Sequence, residues 1–253
     1  MGARSRWVED TRISRLIHSA LYLLALPLAT AFFGGVAIAA GLLGVRRRPG
    51  GVYDWCPRMW ARTLLRAAGT PVRPVGFARV PRTGPVVYVA NHQSWFDILA
   101  LAAFLPGTVR FVAKQEMRKI PLLGRAMASA GQIFIDRKNL QAAKGALDDT
   151  AALVRSGVSP VMFPEGTRSR TGAMLPFKKG SFVLAVSAQV PIVPVYCAHT
   201  FGILPKGSIR VHPTTIELRF GTPIPTVGAS YDDRERLQRE ARAAIEALRD
   251  QAI

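Results

Sequence analysis

The sequence predicts an α/β protein: a mostly parallel central sheet flanked by helices, with an N-terminal membrane-embedded helical segment. Two observations carry this prediction. From residue 70 onward, short apolar runs alternate with helical stretches, a pattern typical of a layered α/β domain with parallel strands. Before that point, residues 16–45 form a run of 30 residues without a charged side chain, which is long enough to embed in a bilayer.

The composition combines a high apolar content with a strong positive charge. Hydrophobic residues make up 49% of the 253 residues, and the formal net charge is +18. Such a field attracts anionic partners, namely nucleic acid, anionic lipid or phosphorylated substrates. Cys56 and Cys197 lie far apart and the four histidines form no metal-binding motif, so we expect free thiols and no metal.

The apolar run is flanked by basic residues at 4–15 and 46–48. An unbroken helix of this length would reach about 45 Å, beyond the hydrocarbon core of about 30 Å, and Pro27 offers a place to bend. Two alternatives are open: a helical hairpin that returns to its own side, or one tilted span. Either way the downstream charge predicts a main domain on the cytoplasmic face of the inner membrane.

Residues 53–68 show the pattern of a basic amphipathic helix. Arg58, Arg62 and Arg66 fall on one face, roughly opposite Trp60. This pattern fits a helix in the lipid headgroup layer and, equally well, a helix packed on the domain. The pattern changes near residue 69, so we predict a membrane-associated segment at 1–69 and an α/β domain at 70–253.

Five short apolar runs predict buried strands, and four stretches between them predict helices. The strands are 86–89, 109–112, 133–135, 158–163 and 192–196; the helices are 98–105, 122–130, 140–155 and 181–188. Residues 215–220 alternate and predict a further strand nearer an edge of the sheet. Residues 231–250 predict a charged amphipathic helix that closes the chain.

The segment Asn-His-Gln-Ser-Trp-Phe-Asp at 91–97 joins the first of these strands to the first helix. His92 at a strand end, with Asp97 one turn further on, is a candidate general base with a carboxylate to orient it. Ser94 and Asp97 also match a helix capping box, in which Asp97 would only bind backbone amides. The spacing by itself favours neither role.

Two further strand ends carry arginine. Arg137 follows the third predicted strand, and Glu165, Gly166, Thr167 and Arg168 follow the fourth. An arginine there can hold a phosphate through its planar fork of donors, while glycine permits close backbone approach. Glu165 is unusual for an anion site, and we expect it to orient an arginine or to accept a hydrogen bond from a substrate hydroxyl. The alternative is a polar turn with solvated arginines.

Taken together, four stretches resemble the glycerolipid acyltransferase family. In the family's order they are the His-x4-Asp block at 91–97, the strand-Arg block at 131–137, the Phe-Pro-Glu-Gly-Thr block at 163–168 and the proline-containing strand at 190–195. Lys114 and the Phe-Lys-Lys-Gly run at 177–180 also fit. The match is closest to bacterial members that act on 1-acyl-glycerol 3-phosphate, and it spans residues 75–195.

The resemblance implies a membrane-bound enzyme that moves a fatty acyl group from acyl-CoA or acyl carrier protein to lysophosphatidic acid, making phosphatidic acid. It implies that His92 removes the acceptor's hydroxyl proton and that Asp97 orients His92. The substrate-binding residues it implies are Lys114, Arg137, Glu165, Gly166, Thr167 and Arg168. A thioester is already activated, so no cofactor or metal is expected.

Two other interpretations are open. The same chemistry could serve another acceptor: a lysophospholipid, a lyso-ornithine lipid or glycerol 3-phosphate. Alternatively, the chain is a non-enzymatic basic protein of the membrane surface or of nucleic acid. Much of the charge brackets the apolar run, and aromatic residues are not interleaved with it as in nucleic-acid modules, so we expect the anionic membrane surface as partner and no nucleic acid.

Overall fold

A computed structural model of the protein describes residues 12–136, 140–205 and 207–251. Seven strands form one sheet, in the order β1-β7-β6-β2-β5-β3-β4. The strands are β1 (Val72–Val75), β2 (Val87–Ala90), β3 (Val109–Lys114), β4 (Ile133–Ile135), β5 (Ser159–Met162), β6 (Ile192–Ala198) and β7 (Ile216–Phe220). The helices are α1 (Arg12–Leu42), α2 (Val52–Ala67), α3 (Trp95–Phe104), α4 (Leu123–Ser129), α5 (Leu140–Arg155), α6 (Gly180–Ala188) and α7 (Arg234–Asp250).

The sheet is largely parallel and has helices on both faces. The five neighbouring strands from β6 to β4 are parallel, β7 runs antiparallel to β6, and β1 runs parallel to β7. Alternate residues of β2 enter different cores: Tyr88 and Ala90 pack with α1, α2 and α3, whereas Val87 and Val89 pack with α5, α6 and α7. The predicted fold class is therefore confirmed, and each predicted strand and helix of the domain is found within a few residues of its expected position.

Two strands differ from the sequence prediction. β1 was not predicted, because Arg73 and Pro74 interrupt its apolar pattern; both residue types are typical of edge strands, and β1 is at the edge. β7 lies one strand further in, and all its residues are buried. It alternates because Glu217 and Arg219 pair in the interior at 2.9 Å, with Arg219 also donating to the Leu248 carbonyl at the end of α7.

Helix α1 is one continuous helix of 31 residues that contains Pro27, so the helical hairpin is not formed. Its length and composition suffice to cross a membrane. It nevertheless packs on the rest of the protein along most of its length. Near its start Ser19 accepts a hydrogen bond from the Val211 amide at 2.8 Å, and near its end a Cβ on Gly41 would lie 3.3 Å from the Ser129 hydroxyl. The opposite face exposes large apolar side chains.

Helix α2 packs on the domain and uses its arginines to do so. Arg58 donates to the carbonyls of Leu105 and Gly107, and Arg62 donates to that of Ala103, so both bind carbonyls at the C-terminal end of α3. These contacts satisfy carbonyl groups that a helix end leaves unpaired. The sequence left two interpretations of α2 open, and these contacts match the one in which an amphipathic helix packs on the domain. The domain boundary near residue 69 stays a prediction.

An ion pair buried in the interior ties α2 to the sheet. Asp54 in the first turn of α2 accepts from the Arg110 guanidinium at 2.6 Å, the Thr108 hydroxyl at 2.7 Å and the Gly50 amide at 2.9 Å. Removing one member of such a pair would leave the other charge buried without its partner, which is strongly unfavourable. This contact fixes α2, and with it α1, against β3.

Candidate active site

His92 and Asp97 meet where β2 ends and α3 begins. The Nδ1 atom of His92 lies 2.9 Å from Oδ2 of Asp97. An ionised carboxylate only accepts hydrogen bonds, so Nδ1 carries the proton and Nε2 keeps its lone pair. Within the described residues Nε2 has no hydrogen-bond partner, and His92 lines an apolar cavity. An imidazole held in this way can act as a general base.

Asp97 makes the contacts that both alternatives from the sequence require. Its Oδ2 atom accepts from the amides of Gln93 at 2.7 Å and Ser94 at 2.8 Å, which completes the capping box of α3, and the same atom binds His92. The side chain is fully buried, and its Oδ1 atom has no partner among the described residues. The capping box therefore holds the carboxylate in the position from which it orients the imidazole.

Asn91 anchors the same loop to the neighbouring strand β6. Its side-chain oxygen accepts from the Cys197 amide at 2.7 Å, and its side-chain nitrogen donates to the Cys197 carbonyl at 3.3 Å. Asn91 is fully buried, so this amide replaces backbone pairing at the point where β2 leaves the sheet. Burial raises the pKa of the Cys197 thiol, which is consistent with an inert, reduced residue.

Glu165 holds the backbone of His92 instead of facing the cavity. One carboxylate oxygen accepts from the His92 amide at 2.7 Å, and the other accepts from the Leu175 amide at 2.8 Å. The residue is 3% exposed and does not line the cavity. Burial raises the pKa of its carboxyl, an effect that the hydrogen bonds from Leu175 and His92 partly offset. The expectation that Glu165 orients an arginine or binds a substrate hydroxyl finds no support in these contacts.

The segment that follows β5 wraps around His92 from the other side. The Ser169 amide donates to the His92 carbonyl at 2.8 Å, and the Gln93 side chain donates to the Gly172 carbonyl at 2.9 Å. The ring of Phe163 stacks on the imidazole, with centroids 4.0 Å apart. The His92 amide thus donates to Glu165 and the His92 carbonyl accepts from Ser169. Because both backbone polar groups of His92 are hydrogen-bonded, the backbone that carries the imidazole is held in place.

The cavity beside His92 has a volume of about 370 Å³ and runs between α1, α2, α4 and β3. Its walls are mainly apolar and aromatic, with polar residues from the two strand ends beside His92. The apolar and aromatic residues lining it include Phe33, Gly34, Ala37, Trp60, Trp95, Ile98, Ala102, Phe111, Leu123, Ala126, Met127, Ala130 and Phe163. Sequence reasoning missed the part played by α1, because it read that whole segment as membrane-embedded. The small residues Gly34 and Ala37, one turn apart, were the available signal of a packed face.

Four of the predicted substrate-binding residues line this cavity with His92: Lys114, Gly166, Thr167 and Arg168. Lys114 ends β3 and Arg168 is exposed in the loop after β5, so the two basic residues line the cavity from two neighbouring strands. Gly166 has a φ of 73°, a left-handed conformation that favours glycine at this turn. Arg137 lies outside the described residues.

Several known proteins have sequences similar to this chain. Human 1-acyl-sn-glycerol-3-phosphate acyltransferase alpha is 40% identical over 166 residues, which cover 65% of this chain and 59% of that protein. The 1-acyl-sn-glycerol-3-phosphate acyltransferase of Cocos nucifera is 35% identical over 182 residues, which cover 72% of this chain and 58% of that protein. The chain thus spans less than two thirds of the length of these relatives.

A solved structure is similar over nearly the whole chain. The crystal structure of the 1-acyl-sn-glycerophosphate (LPA) acyltransferase PlsC from Thermotoga maritima matches with a TM-score of 0.76 and 27% identity. The match covers 96% of this chain and 99% of that one. The sequence pattern of the acyltransferase family matches residues 63–198, which include His92, Asp97 and the loop after β5. Since this is more than half of the sequence, the chain belongs to the acyltransferase family.

Proposed function

We propose that this protein is an O-acyltransferase that moves a fatty acyl group from a thioester to the free hydroxyl of 1-acyl-glycerol 3-phosphate, making phosphatidic acid. The observation that carries the proposal is His92, whose Nδ1 binds Asp97 while its Nε2 has no partner in the described part of the chain and lies beside an apolar cavity that Lys114 and Arg168 also line. Each feature matches one part of the substrates: the histidine base matches the acceptor hydroxyl, the two cations match the phosphate, and the apolar wall matches the acyl chains. The likeness to three 1-acylglycerol-phosphate acyltransferases supports the choice of acceptor.

The chemistry follows from the position of the histidine. Nε2 of His92 accepts the proton of the acceptor hydroxyl while that oxygen bonds to the thioester carbonyl carbon. The tetrahedral intermediate then expels the sulfur, the C–S bond breaks, and the imidazolium returns its proton to the leaving thiolate. Asp97 stabilises the imidazolium between these two transfers. The acceptor oxygen is itself the nucleophile, so no covalent acyl-enzyme is needed. The thioester is already an activated acyl group, so these steps require no cofactor or metal.

The acceptor's phosphate lies between Lys114 and Arg168, with Arg137 as the third cation that the sequence predicts. A phosphomonoester carries about two negative charges near pH 7, and charge-assisted hydrogen bonds from arginine are the strong type of contact for it. Gly166 and Thr167 line the same cavity, where a backbone without a side chain and a hydroxyl leave room for the phosphate oxygens. Glu165 contributes by positioning His92 and this loop, and touches no substrate.

An acyl chain occupies the cavity between α1 and α4. This cavity leads away from His92 toward Gly34, Ala37 and Ala126, and its walls in that direction are apolar. Burying a methylene group contributes about 0.8 kcal/mol, so a long chain gains several kcal/mol there. The donor is acyl-CoA or acyl carrier protein, since both present the same thioester at the mouth of the cavity.

The protein sits at the inner (cytoplasmic) membrane, with the α/β domain facing the cytoplasm, where thioester donors are found. Helix α1 supports this location, because its outward face exposes leucine side chains such as Leu21, Leu24 and Leu28. The inward face contacts the domain from His18, whose ring nitrogen Nδ1 lies 3.0 Å from the Ala67 carbonyl, to Gly41 near Ser129. A helix held along this length stays with the domain and lies within one leaflet.

Acyl transfer is tested in membranes from cells that make the full chain, with both thioester donors and a panel of lyso-acceptors. Wild type should acylate 1-acyl-glycerol 3-phosphate in preference to lysophosphatidylcholine, a lyso-ornithine lipid or glycerol 3-phosphate. His92→Ala should abolish transfer, whereas the matched His212→Ala, at a histidine outside the cavity, should retain it. Transfer by His92→Ala at the wild-type rate would refute the proposal.

The orientation is tested by labelling a cysteine introduced at Ser5 in intact cells. Cys56 and Cys197 are both buried, so the background from native thiols should be low. If α1 stays in the cytoplasmic leaflet, a membrane-impermeant reagent should label position 5 only after the membrane is permeabilised. Ready labelling in intact cells would mean that α1 crosses the bilayer.

A further inference from the structure

A second cavity lies on the other side of α4 and shares no lining residue with the cavity beside His92. It has a volume of about 940 Å³ and is formed by the end of α1, the loop after it, and α4. Four arginines line it: Arg46, Arg47, Arg118 and Arg125. We call this cavity the basic cleft. We propose that the basic cleft binds the phosphate of an anionic phospholipid in the surrounding membrane, as a site separate from the proposed active site.

Among the described residues, no carboxylate pairs with the arginines of the basic cleft. None of its lining residues in the described part of the chain is acidic. The four arginines also form no ion pair with any carboxylate among residues 12–136, 140–205 and 207–251. Like charges that converge repel one another, and a bound anion relieves this repulsion. The cleft therefore attracts an anion that the described residues do not supply.

One arginine is already fixed in place. Arg47 donates from Nε to the Ser129 carbonyl and from Nη2 to the Ala128 carbonyl, both at 3.2 Å, and its guanidinium lies 5.7 Å from the centre of the Tyr53 ring. Holding a donor before the ligand arrives lowers the conformational entropy lost on binding. Because both carbonyls belong to the last turn of α4, Arg47 also stabilises the end of that helix.

The rim of the basic cleft identifies a lipid as the source of the anion. Leu42 and Leu43, at the end of α1, are 85% and 81% exposed, and both lie within a few residues of Arg46. On the other side, Ile120 and Leu122 are exposed between Arg118 and Arg125. Apolar side chains next to arginines match a phospholipid, with its phosphate in the cleft and its chains along the leucines. A nucleic acid or a free phosphate gains nothing from these leucines.

The proposal rests on the membrane association of α1 and does not depend on acyl transfer. It is tested by sedimenting the full chain with vesicles of phosphatidylcholine alone, or of phosphatidylcholine mixed with phosphatidylglycerol, with no acyl donor present. The test variant is Arg118→Gln/Arg125→Gln, at two exposed arginines of the cleft. The matched control is Arg82→Gln/Arg239→Gln, which removes the same charge from two exposed arginines outside it.

Each cleft arginine near the membrane surface should contribute about fivefold to the affinity for anionic vesicles, so the test variant should bind them about twenty-five-fold more weakly. The control should lose less than about twofold, and neither variant should change binding to phosphatidylcholine alone. Equal losses in the two variants would mean a diffuse charge effect and would overturn the site. The proposal would also be overturned if the test variant bound vesicles as tightly as wild type while the control variant, whose cleft is intact, bound an oligonucleotide.

A double lysine variant distinguishes a site with defined geometry from a surface that binds lipid through its charge alone. Arg118→Lys/Arg125→Lys keeps both charges but removes the planar forks that bind phosphate with two donors each. We expect this variant to lose several-fold of its affinity for the phosphatidylglycerol vesicles while it melts at the wild-type temperature. Wild-type affinity would show that charge alone draws the lipid and that no site is built. Because these measurements need no turnover, their failure would leave the acyl-transfer proposal standing.

Discussion

The two ends of the cavity beside His92 are built by different means. At the His92 end the polar groups are tied by hydrogen bonds from three directions: Asp97 to the ring, Glu165 to the amide and Ser169 to the carbonyl. At the α1–α4 end the wall is apolar and includes small residues, with Gly34 facing Ala126. Hydrogen bonds are directional and fix one geometry, whereas packing of small residues sets only size and shape. Changes at the first end should therefore alter the rate, and changes at the second should alter which chain is accepted.

The largest effect is expected from the carboxylate that orients the imidazole. Asp97→Asn keeps an oxygen that can cap α3 but no longer holds the charge that stabilises the imidazolium, so kcat should fall by about a hundredfold or more. The measurement is turnover with a saturating acceptor. The matched control is Asp233→Asn, which alters the capping box formed by Ser230 and Asp233, neither of which lines the cavity. Turnover near wild type in Asp97→Asn would reduce Asp97 to a helix cap.

The next largest effect is expected at the phosphate. Losing one charge-assisted contact costs about 1.5–3 kcal/mol, so Arg168→Ala should lower kcat/KM for lysophosphatidic acid by about ten- to a hundredfold. Use of an uncharged lyso-acceptor should change far less, and Arg168→Lys should restore only part of the loss because lysine lacks the planar fork. Arg170→Ala serves as control, since Arg170 is exposed in the same loop but does not line the cavity. Equal losses on charged and uncharged acceptors would assign Arg168 a structural role.

Glu165 tests whether a buried carboxylate acts through His92. Glu165→Ala leaves the part-buried amides of His92 and Leu175 without acceptors, each at a cost of up to about 1–3 kcal/mol, and should lower kcat about tenfold with a smaller change in KM. Glu165→Gln keeps one acceptor oxygen, so its kcat should lie between those of wild type and Glu165→Ala. A higher KM for the acceptor at unchanged kcat would contradict a positioning role and would indicate that Glu165 binds the substrate.

The smallest effect on rate is expected at the α1–α4 end of the cavity. Changes there should alter the preference between acyl donors of different chain length. A Cβ on Gly34 would lie 3.2 Å from the Cβ of Ala126, so Gly34→Ala narrows the cavity, whereas nothing lies within 4 Å of a Cβ on Gly35. Each methylene group that no longer fits should shift the preference between donors by about fourfold toward the shorter chain. The measurement is the ratio of kcat/KM for long and short acyl donors. An unchanged ratio in Gly34→Ala, matching Gly35→Ala, would place the acyl chain elsewhere.

The sequence alone determined the features that depend on neighbours along the chain. The strands and helices of the domain follow from apolar periodicity; among the described strands β1 is the one that was missed, because Arg73 and Pro74 interrupt its apolar pattern. The sequence also identified His92 and Asp97 as a candidate pair where a strand end meets a capping box, but their spacing did not choose between that pair and a simple helix cap.

The tertiary structure decided what depends on distant residues. Glu165 reaches the His92 amide across 73 positions, and Asn91 reaches Cys197 across 106, so no local pattern could distinguish these positioning contacts from substrate contacts. The same holds for α1, whose composition predicts a membrane segment but whose small residues form one wall of the cavity. Hydrophobicity is a property of the residues themselves, whereas the partner that an apolar face or a buried carboxylate meets is set only when the whole chain packs.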